Sequence, residues 1–337
     1  MPSITGHSAI DELPSEDGRP PLDADKAGTG RLGDRIFGGL ATGSGILVIA
    51  LVSLVAVFLL WRAIPSLMNN NANFLTSREW VPSGDNPRFG ILDLLWGTVI
   101  SSVIAMFIAV PLGVAVALFI TQYAPQWLSK PAAALIDLLA AVPSIVYGFW
   151  GLKIAGQYFQ PVQDFIGNVL GWIPFFSTDE APSAKSTLAF AGVILAIMIL
   201  PIVTAISREV FNQVPTPHKE AALALGATKW EMIRTAVIPF GMPGVISAAM
   251  LGLGRALGET LAVTTLLSVL SSSDDFSFSI FNGGSTFASK IALGANEFDS
   301  PQKTGAFIAA GLVLFILTFI VNAAARVVIE RRKAFSE

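Results

Sequence analysis

Apolar residues run along this chain in long unbroken blocks rather than in the alternating or one-sided rhythm of a soluble fold. Six blocks stand out, near residues 36–61, 92–120, 131–152, 186–207, 237–270 and 304–326. A hydrocarbon core about 30 Å thick takes about 20 residues of apolar helix, so the pattern predicts an all-α integral membrane protein with six transmembrane helices. The fifth block is too long for one simple crossing. Its Gly241, Pro243, Gly244, Gly252, Gly254 and Gly258 allow a bend or a break, which membrane helices tolerate where protein or a water-filled cavity covers the freed backbone. Pro143 and Gly148 predict a packing kink in the third block.

The polar remainder sets the domain plan. Residues 1–35, rich in Pro, Gly and charged side chains, cannot bury enough apolar surface to fold alone and predict a disordered tail. No signal peptide precedes the first apolar block, which is long enough to stay as a membrane helix. A transmembrane domain over 36–333 follows, and 334–337 make a short C-terminal tail. Lysine and arginine concentrate on one side: with the tail inside, the flanks 31–35, 121–130, 208–236 and 326–337 hold 11 of them in 56 residues, against 7 in the 96 residues of the loops 62–91, 153–185 and 271–303. That asymmetry predicts both termini in the cytoplasm. In the outer loops Trp80, Trp172, Phe175 and Phe176 are expected as anchors at the lipid headgroups.

Composition narrows the function classes. Only 13% of residues are charged and 53% are hydrophobic, with mean hydropathy +0.65, whereas an ordinary soluble domain carries roughly 25% charge. The chain has no cysteine, which excludes disulfides, thiolate metal sites and a cysteine nucleophile, and its only histidines are His7 and His218. A net charge of −3 argues for no nucleic-acid partner; membrane lipid is the expected surroundings. No lysine follows a glycine anywhere, so the phosphate-cradling G-x-x-x-x-G-K-[ST] loop is missing; this chain binds no cofactor of its own, and any ATP and Mg are used by a partner. Asp93 and Asp137 fall near the starts of the second and third blocks, where helix N-termini favour anions, a structural role rather than a catalytic pair.

The longest inner loop, 208–236, contains "VPTPHKEAALALGATKWEMIRTAVIPFGMP". Thr216 can cap a helix with Pro217 at its first position, and Gly226 suits the left-handed residue that ends it. Thr228 and Glu231 then have the T-x-x-E spacing of a capping box that opens a second helix. Two short helices joined at a glycine, with Ala221, Ala222, Ala224 and Ala227 around the joint, form a knob that another backbone can approach closely. The loop lacks the basic surplus that a DNA-gripping hairpin needs.

In "GLGRALGETLAV", residues 252–263, Arg255 and Glu259 stand four apart among apolar and small residues. On a continuous helix that spacing puts them on one face, about one turn apart and able to pair. A charge near the bilayer centre costs on the order of 2.5–3.5 kcal/mol on insertion scales, so both should face the bundle interior. Hydrophobic replacement of a buried pair is often neutral or stabilising, which makes stability a weak reason to keep one. Arg255 carries a planar fork suited to an oxyanion; Glu259 would hold it and neutralise it when no anion is present. Thr260 and Thr264 could add hydroxyl donors, and Gly252, Gly254 and Gly258 could leave room for a solute.

"EAALALG", a spacer and "IP" resemble the EAA signature of ABC-importer permeases, EAA-x3-G-x9-I-x-LP, at Glu220, Ala221, Ala222, Gly226 and Pro239, with Ala236 and Ile238 at its other apolar positions. Together with "VPSIVYGFWGL" and "GRALGETLAV", the chain from about 90 to 330 is similar to the phosphate-specific ABC importer, the LAV ending being that of its PstC-type rather than its PstA-type subunit. The resemblance implies a type I permease architecture in a bacterial inner membrane and a coupling helix at 217–235 that fits a cytoplasmic ATPase. It also implies the partners: a homologous second permease subunit in a heterodimer, two cytoplasmic ATP-binding subunits, and an extracytoplasmic phosphate-binding protein. Arg255 and Glu259 would lie on the translocation path. Importers of other oxyanions, such as sulfate or molybdate, share the class. A secondary transporter that buries an ion pair is the rival from another class, but it needs no such knob and commonly shows internal repeats.

Overall fold

The computed structural model describes residues 32–178, 183–267 and 277–333. The expected tails at 1–31 and 334–337 lie outside them. Helix α1 spans Leu32–Met68, so 32–35 belong to the helix and not to the tail; Asp34 in its first turn favours a start there. The chain divides into the units Met1–Val55 and Ala56–Glu337, and the packing below is that of the second.

Among the described residues five helices are long and apolar enough to cross a membrane, and six are reached with the broken pair counted as one span. The all-α plan with six crossings therefore stands. The second to sixth spans are α2 (Leu92–Leu118), the broken α3–α5 (Gln126–Ala140, Ser144–Trp150, Gly156–Leu170), α6 (Leu188–Asn212), α9 (Ile238–Gly258) and α12 (Pro301–Lys333). Helices α7 (Thr216–Ala224) and α8 (Lys229–Met232) fill the 208–236 loop, α10 (Leu261–Leu266) follows α9, and α11 (Phe287–Leu293) lies in the last outer loop. π-Helical turns at Phe119–Tyr123, Gly151–Ala155 and Ile233–Val237 continue α2, α4 and α8 without a break. The first outer loop holds a two-residue hairpin, β1 (Trp80–Val81) against β2 (Arg88–Phe89), with Trp80 opposite Phe89.

Lipid tails are as apolar as leucine, so membrane helices associate through close packing and small residues. The α2–α6 pair follows that rule. Ala105 and Ala109 of α2 and Ala196 of α6 share a buried cluster, a Cβ on Gly192 would come within 3.1 Å of the Ser101 carbonyl, and one on Gly113 would touch Val203 at 3.0 Å. Ser101 and Thr204 spend their hydroxyl protons on carbonyls one turn back, at 2.7 and 2.8 Å, which satisfies polar groups inside an apolar wall.

The third span is bent by 89° between α3 and α4, far more than the packing kink expected at Pro143. Proline has no N–H to give the carbonyl four residues back, which is that of Leu139; that carbonyl accepts from the Val142 N–H at 3.3 Å and from the Tyr147 hydroxyl at 3.0 Å. Helix then continues to Leu170, replacing much of the outer loop expected at 153–185. Beyond the break, Gly148 lies directly against α10: a Cβ there would meet the Ala262 Cα at 2.9 Å as well as the Thr265 hydroxyl. Since backbone cannot yield as a side chain can, Gly148→Ala should destabilise the assembled protein by about 1–3 kcal/mol, seen as a lower thermal midpoint of the purified complex, whereas alanine at Gly254, where a Cβ meets nothing within 4 Å, should leave it unchanged.

The last outer loop folds back onto the bundle. The Ala189 and Leu188 N–H groups donate to the Ile280 and Asn282 carbonyls at 2.8 and 2.9 Å, the Phe287 N–H donates to Thr98 at 3.0 Å, and Phe281 and Phe287 are fully buried. This segment plugs the bundle where α2 and α6 begin.

Candidate functional site

Arg255 occupies the last turn of α9, which ends at Gly258. Glu259 is no longer helical: its backbone is extended, with φ −68° and ψ 124°. The expected arrangement, two charges on one helical face, is therefore corrected, and no ion pair joins them among the described residues. Glu259 is 8% exposed, and its carboxylate accepts a hydrogen bond from the Ala262 N–H at 3.2 Å. It acts as a side-chain cap on the first turn of α10, satisfying one of the N–H groups that a helix start leaves over. Local spacing could not reveal this, because the i,i+4 rule holds only while the helix continues.

Arg255 is left with no hydrogen bond or ion pair to any described residue. Its guanidinium is exposed and lines an open groove of about 690 Å³ with Ser247, Met250, Leu251, Gly254 and Asn322. The charge thus faces a cleft on the chain's own surface instead of an enclosed bundle core. Gly254 and Gly258 have open space where a Cβ would be, whereas a Cβ on Gly252 would meet Val203 at 3.1 Å, so that glycine leaves no room for a solute. Thr260 and Thr264 are half-buried. Their hydroxyls donate to the carbonyls of Gly258 at 3.2 Å and Thr260 at 2.7 Å, so neither brings a free proton to an anion. They shape the break beside Arg255.

The second constellation matches its sequence reading closely. α7 starts at Thr216, with Pro217 in its first turn and Pro215, not Thr216, as the preceding residue. Gly226 has φ +85°, the left-handed value expected of the stop residue. Thr228 and Glu231 form the capping box of α8. Glu220 and Ala221 are exposed and Ala222 half-buried. Leu225, 89% exposed, and Trp230, 56% exposed, project beside them; their exposure is set by how the two short helices meet, which the spacing of apolar residues does not show. Both the N–H and the hydroxyl of Thr228 donate to the Glu231 carboxylate at 2.8 Å and hold its carboxyl below the ordinary value of 4.5. A lowered folded-state pKa stabilises above the unfolded value and loses that contribution as pH falls through the folded one. Hydrogen exchange at residues 228–235 should accordingly be flat from pH 8 to about 5 after correction for intrinsic rates and should quicken on further acidification; Glu231→Gln should remove the acid step.

Several other charges have structural partners. Asp93 sits in the first turn of α2, as expected, and pairs with Arg78 at 2.9 Å. Asp137 lies in the last turn of α3, not at a helix start; Arg208 pairs with it at 3.3 Å. Lys290 stacks over Trp80, 5.3 Å from the ring centre, and burial holds its pKa below the ordinary lysine range against the pull of Glu297. Of the expected headgroup anchors Trp172 is exposed at 80%. Trp80 packs on Phe89 and Phe307, and Phe175 on Trp96 and Phe176, and all three residues Trp80, Phe175 and Phe176 are half-buried.

Residues 109–334 match the family described as "Binding-protein-dependent transport system inner membrane component". The chain is 49% identical over 312 residues to the "Phosphate transport system permease protein PstC 2" of Mycobacterium tuberculosis, covering 92% of this chain and 96% of that protein. It is 52% identical over 275 residues to the "Phosphate transport system permease protein PstC" of Mycobacterium leprae, covering 81% and 86%. Against the protein of that name from Xylella fastidiosa strain 9a5c, identity is 40% over 300 residues, with 87% and 89% covered.

Proposed function

We propose, from the premise that this chain belongs to the binding-protein-dependent transport system inner membrane component family, that it is a permease subunit of an ATP-driven importer of inorganic phosphate and forms half of the anion's path through the inner membrane. The observation that carries the reading is Arg255: an unpartnered guanidinium on a membrane helix, facing an open groove. Such a charge is too costly to leave against lipid, so the groove needs water, solute or a second subunit over it. A fixed fork of five donors engages two phosphate oxygens at once. With no carboxylate paired to it, the fork meets the anion without first breaking an ion pair, and the break at Glu259–Thr260, held by the Glu259 cap on α10, fixes where the guanidinium stands.

A component of a binding-protein-dependent system works with a solute-binding protein and a source of energy. In finer detail, the partners are a PstA-like permease that closes the groove, two ATPase subunits that use ATP and Mg, and an extracytoplasmic phosphate-binding protein. Glu220, Ala221, Ala222 and Gly226 present the α7–α8 knob, with Leu225 and Trp230 as its apolar anchors, to the ATPase on the cytoplasmic side. Relatives named for phosphate transport support phosphate as the solute.

Expression together with the partner subunits, in a cell stripped of its own high-affinity phosphate import, should restore uptake of radiolabelled phosphate. Restored sulfate or molybdate uptake instead would move the chain to another oxyanion, and uptake independent of ATP would make it a secondary transporter. The expected orientation is tested by reporters: fusions after residue 337 and within 121–130 should read cytoplasmic and an insertion near Asn71 external. An external C-terminus would overturn the six-span topology.

A further inference from the structure

Two spans end side by side on the face that carries the 208–236 loop: α2 with its π-turn, and α6. Between them and the first turns of α3 lies a cleft of about 390 Å³, away from the Arg255 groove. Its wall carries both signs of charge: Lys130 and Arg208 on one hand, Glu209 on the other, with Ser129, Gln126 and Asn212 between them. Asp137 engages one arm of Arg208; the other arm, Nη1, is buried and has no hydrogen-bond partner. Lys130 has no partner among the described residues. The Gln213 amide donates to one oxygen of Glu209 at 3.3 Å. Two cations and two carboxylates leave no net charge, so neither a free anion nor a free cation is matched, whereas a headgroup that carries both is.

The depth is that of lipid headgroups. The cleft stands where the apolar windows of α2 and α6 run out, and Tyr123 and Trp127 beside it are exposed at 47% and 77%, the placing of interfacial aromatic residues. Pockets between membrane helices at this level take lipid headgroups, the basic ones anionic headgroups; a cleft without net charge matches a zwitterionic one. We propose that this cleft is a binding site for one zwitterionic aminophospholipid, its phosphodiester held by Lys130 and Arg208 and its primary ammonium by Glu209, with the acyl chains running down the apolar faces of α2 and α3. A lipid held there fixes α3, the short arm of the broken third span, against the end of α6.

The test is native mass spectrometry of the assembled transporter after reconstitution in bilayers of phosphatidylglycerol mixed with either phosphatidylethanolamine or phosphatidylcholine. Phosphatidylethanolamine should survive detergent exchange at one molecule per copy of this chain. Phosphatidylcholine, whose methylated ammonium donates no hydrogen bond to a carboxylate, should be retained about tenfold less. Lys130→Gln and Glu209→Gln should each lower phosphatidylethanolamine occupancy by a similar factor. Equal retention of phosphatidylglycerol, wild-type occupancy in both variants, or displacement of the lipid by millimolar inorganic phosphate or free phosphoethanolamine would overturn the proposal, the last two by making the cleft a site for a soluble ligand. The lipid-exchange arm uses the unaltered chain and decides the matter even where a variant fails to assemble. None of these readouts depends on which solute the transporter carries.

Discussion

Arg255→Gln is expected to abolish phosphate uptake while the chain still inserts and assembles. Hydrogen bonds to a charged partner are worth about 1.5–3 kcal/mol each, so losing the two of a bidentate fork lowers the rate by about a hundredfold or more. Arg255→Lys should recover little, since a point charge lacks the fork. Folding should be spared because Arg255 bonds to no described residue and is exposed. Glu259 should behave differently. Glu259→Gln keeps an oxygen that can accept from the Ala262 N–H and should be the milder change, whereas Glu259→Ala removes the cap from a buried helix start. Wild-type uptake by Arg255→Gln would place the path elsewhere.

Gly226→Val should uncouple the transporter. At φ +85° a β-branched residue costs about 1–3 kcal/mol, and the chain relieves that strain by moving α7 against α8. No atom lies within 4 Å of where a Cβ would stand, so steric collision is not the cause and a graded series is diagnostic. Gly226→Asn, tolerant of the left-handed region, should retain most activity, Gly226→Ala less and Gly226→Val least. The loss should appear both in uptake and in binding-protein-stimulated ATP hydrolysis, with the amount of inserted chain unchanged. Full coupling in the valine variant would reduce the knob to a connector.

The α7–α8 knob is legible nearly to the residue because its determinants are local. A left-handed glycine and a reciprocal side-chain cap are fixed by neighbours three to five positions away, and no distant contact overrides them. The same holds for α2, α6 and α12, whose uniform apolar blocks admit one reading in a membrane. The interior of the site was less legible for the opposite reason. Nothing in "GRALGETLAV" marks a helix end at Gly258, since the chain has five glycines in this span and its helix continues through the earlier four. Gly241 and Gly244 are packed too closely against Phe211 and Val210, and the break falls where Glu259 can cap α10 while Ala262 lies against Gly148 of another span. That is a tertiary decision. The 89° bend at Pro143 is likewise underestimated by a local rule, because the Leu139 carbonyl that proline cannot pair is satisfied by the Val142 N–H and the Tyr147 hydroxyl. Residues 156–170 read as loop because their helix is one-sided rather than apolar throughout, and 279–293 because a plug rich in Ser, Gly and Thr looks like a surface connection until its hydrogen bonds to α2 and α6 are seen.

The most direct test of the central claim is transport by purified parts. The chain, its second permease subunit and the ATPase subunits are reconstituted in liposomes with ATP inside and binding protein outside, and radiolabelled solute is followed inward. The account predicts ATP-dependent accumulation driven by phosphate-loaded binding protein, undiminished by excess free sulfate and lost with Arg255→Gln. Accumulation without ATP, or of sulfate in place of phosphate, would contradict it.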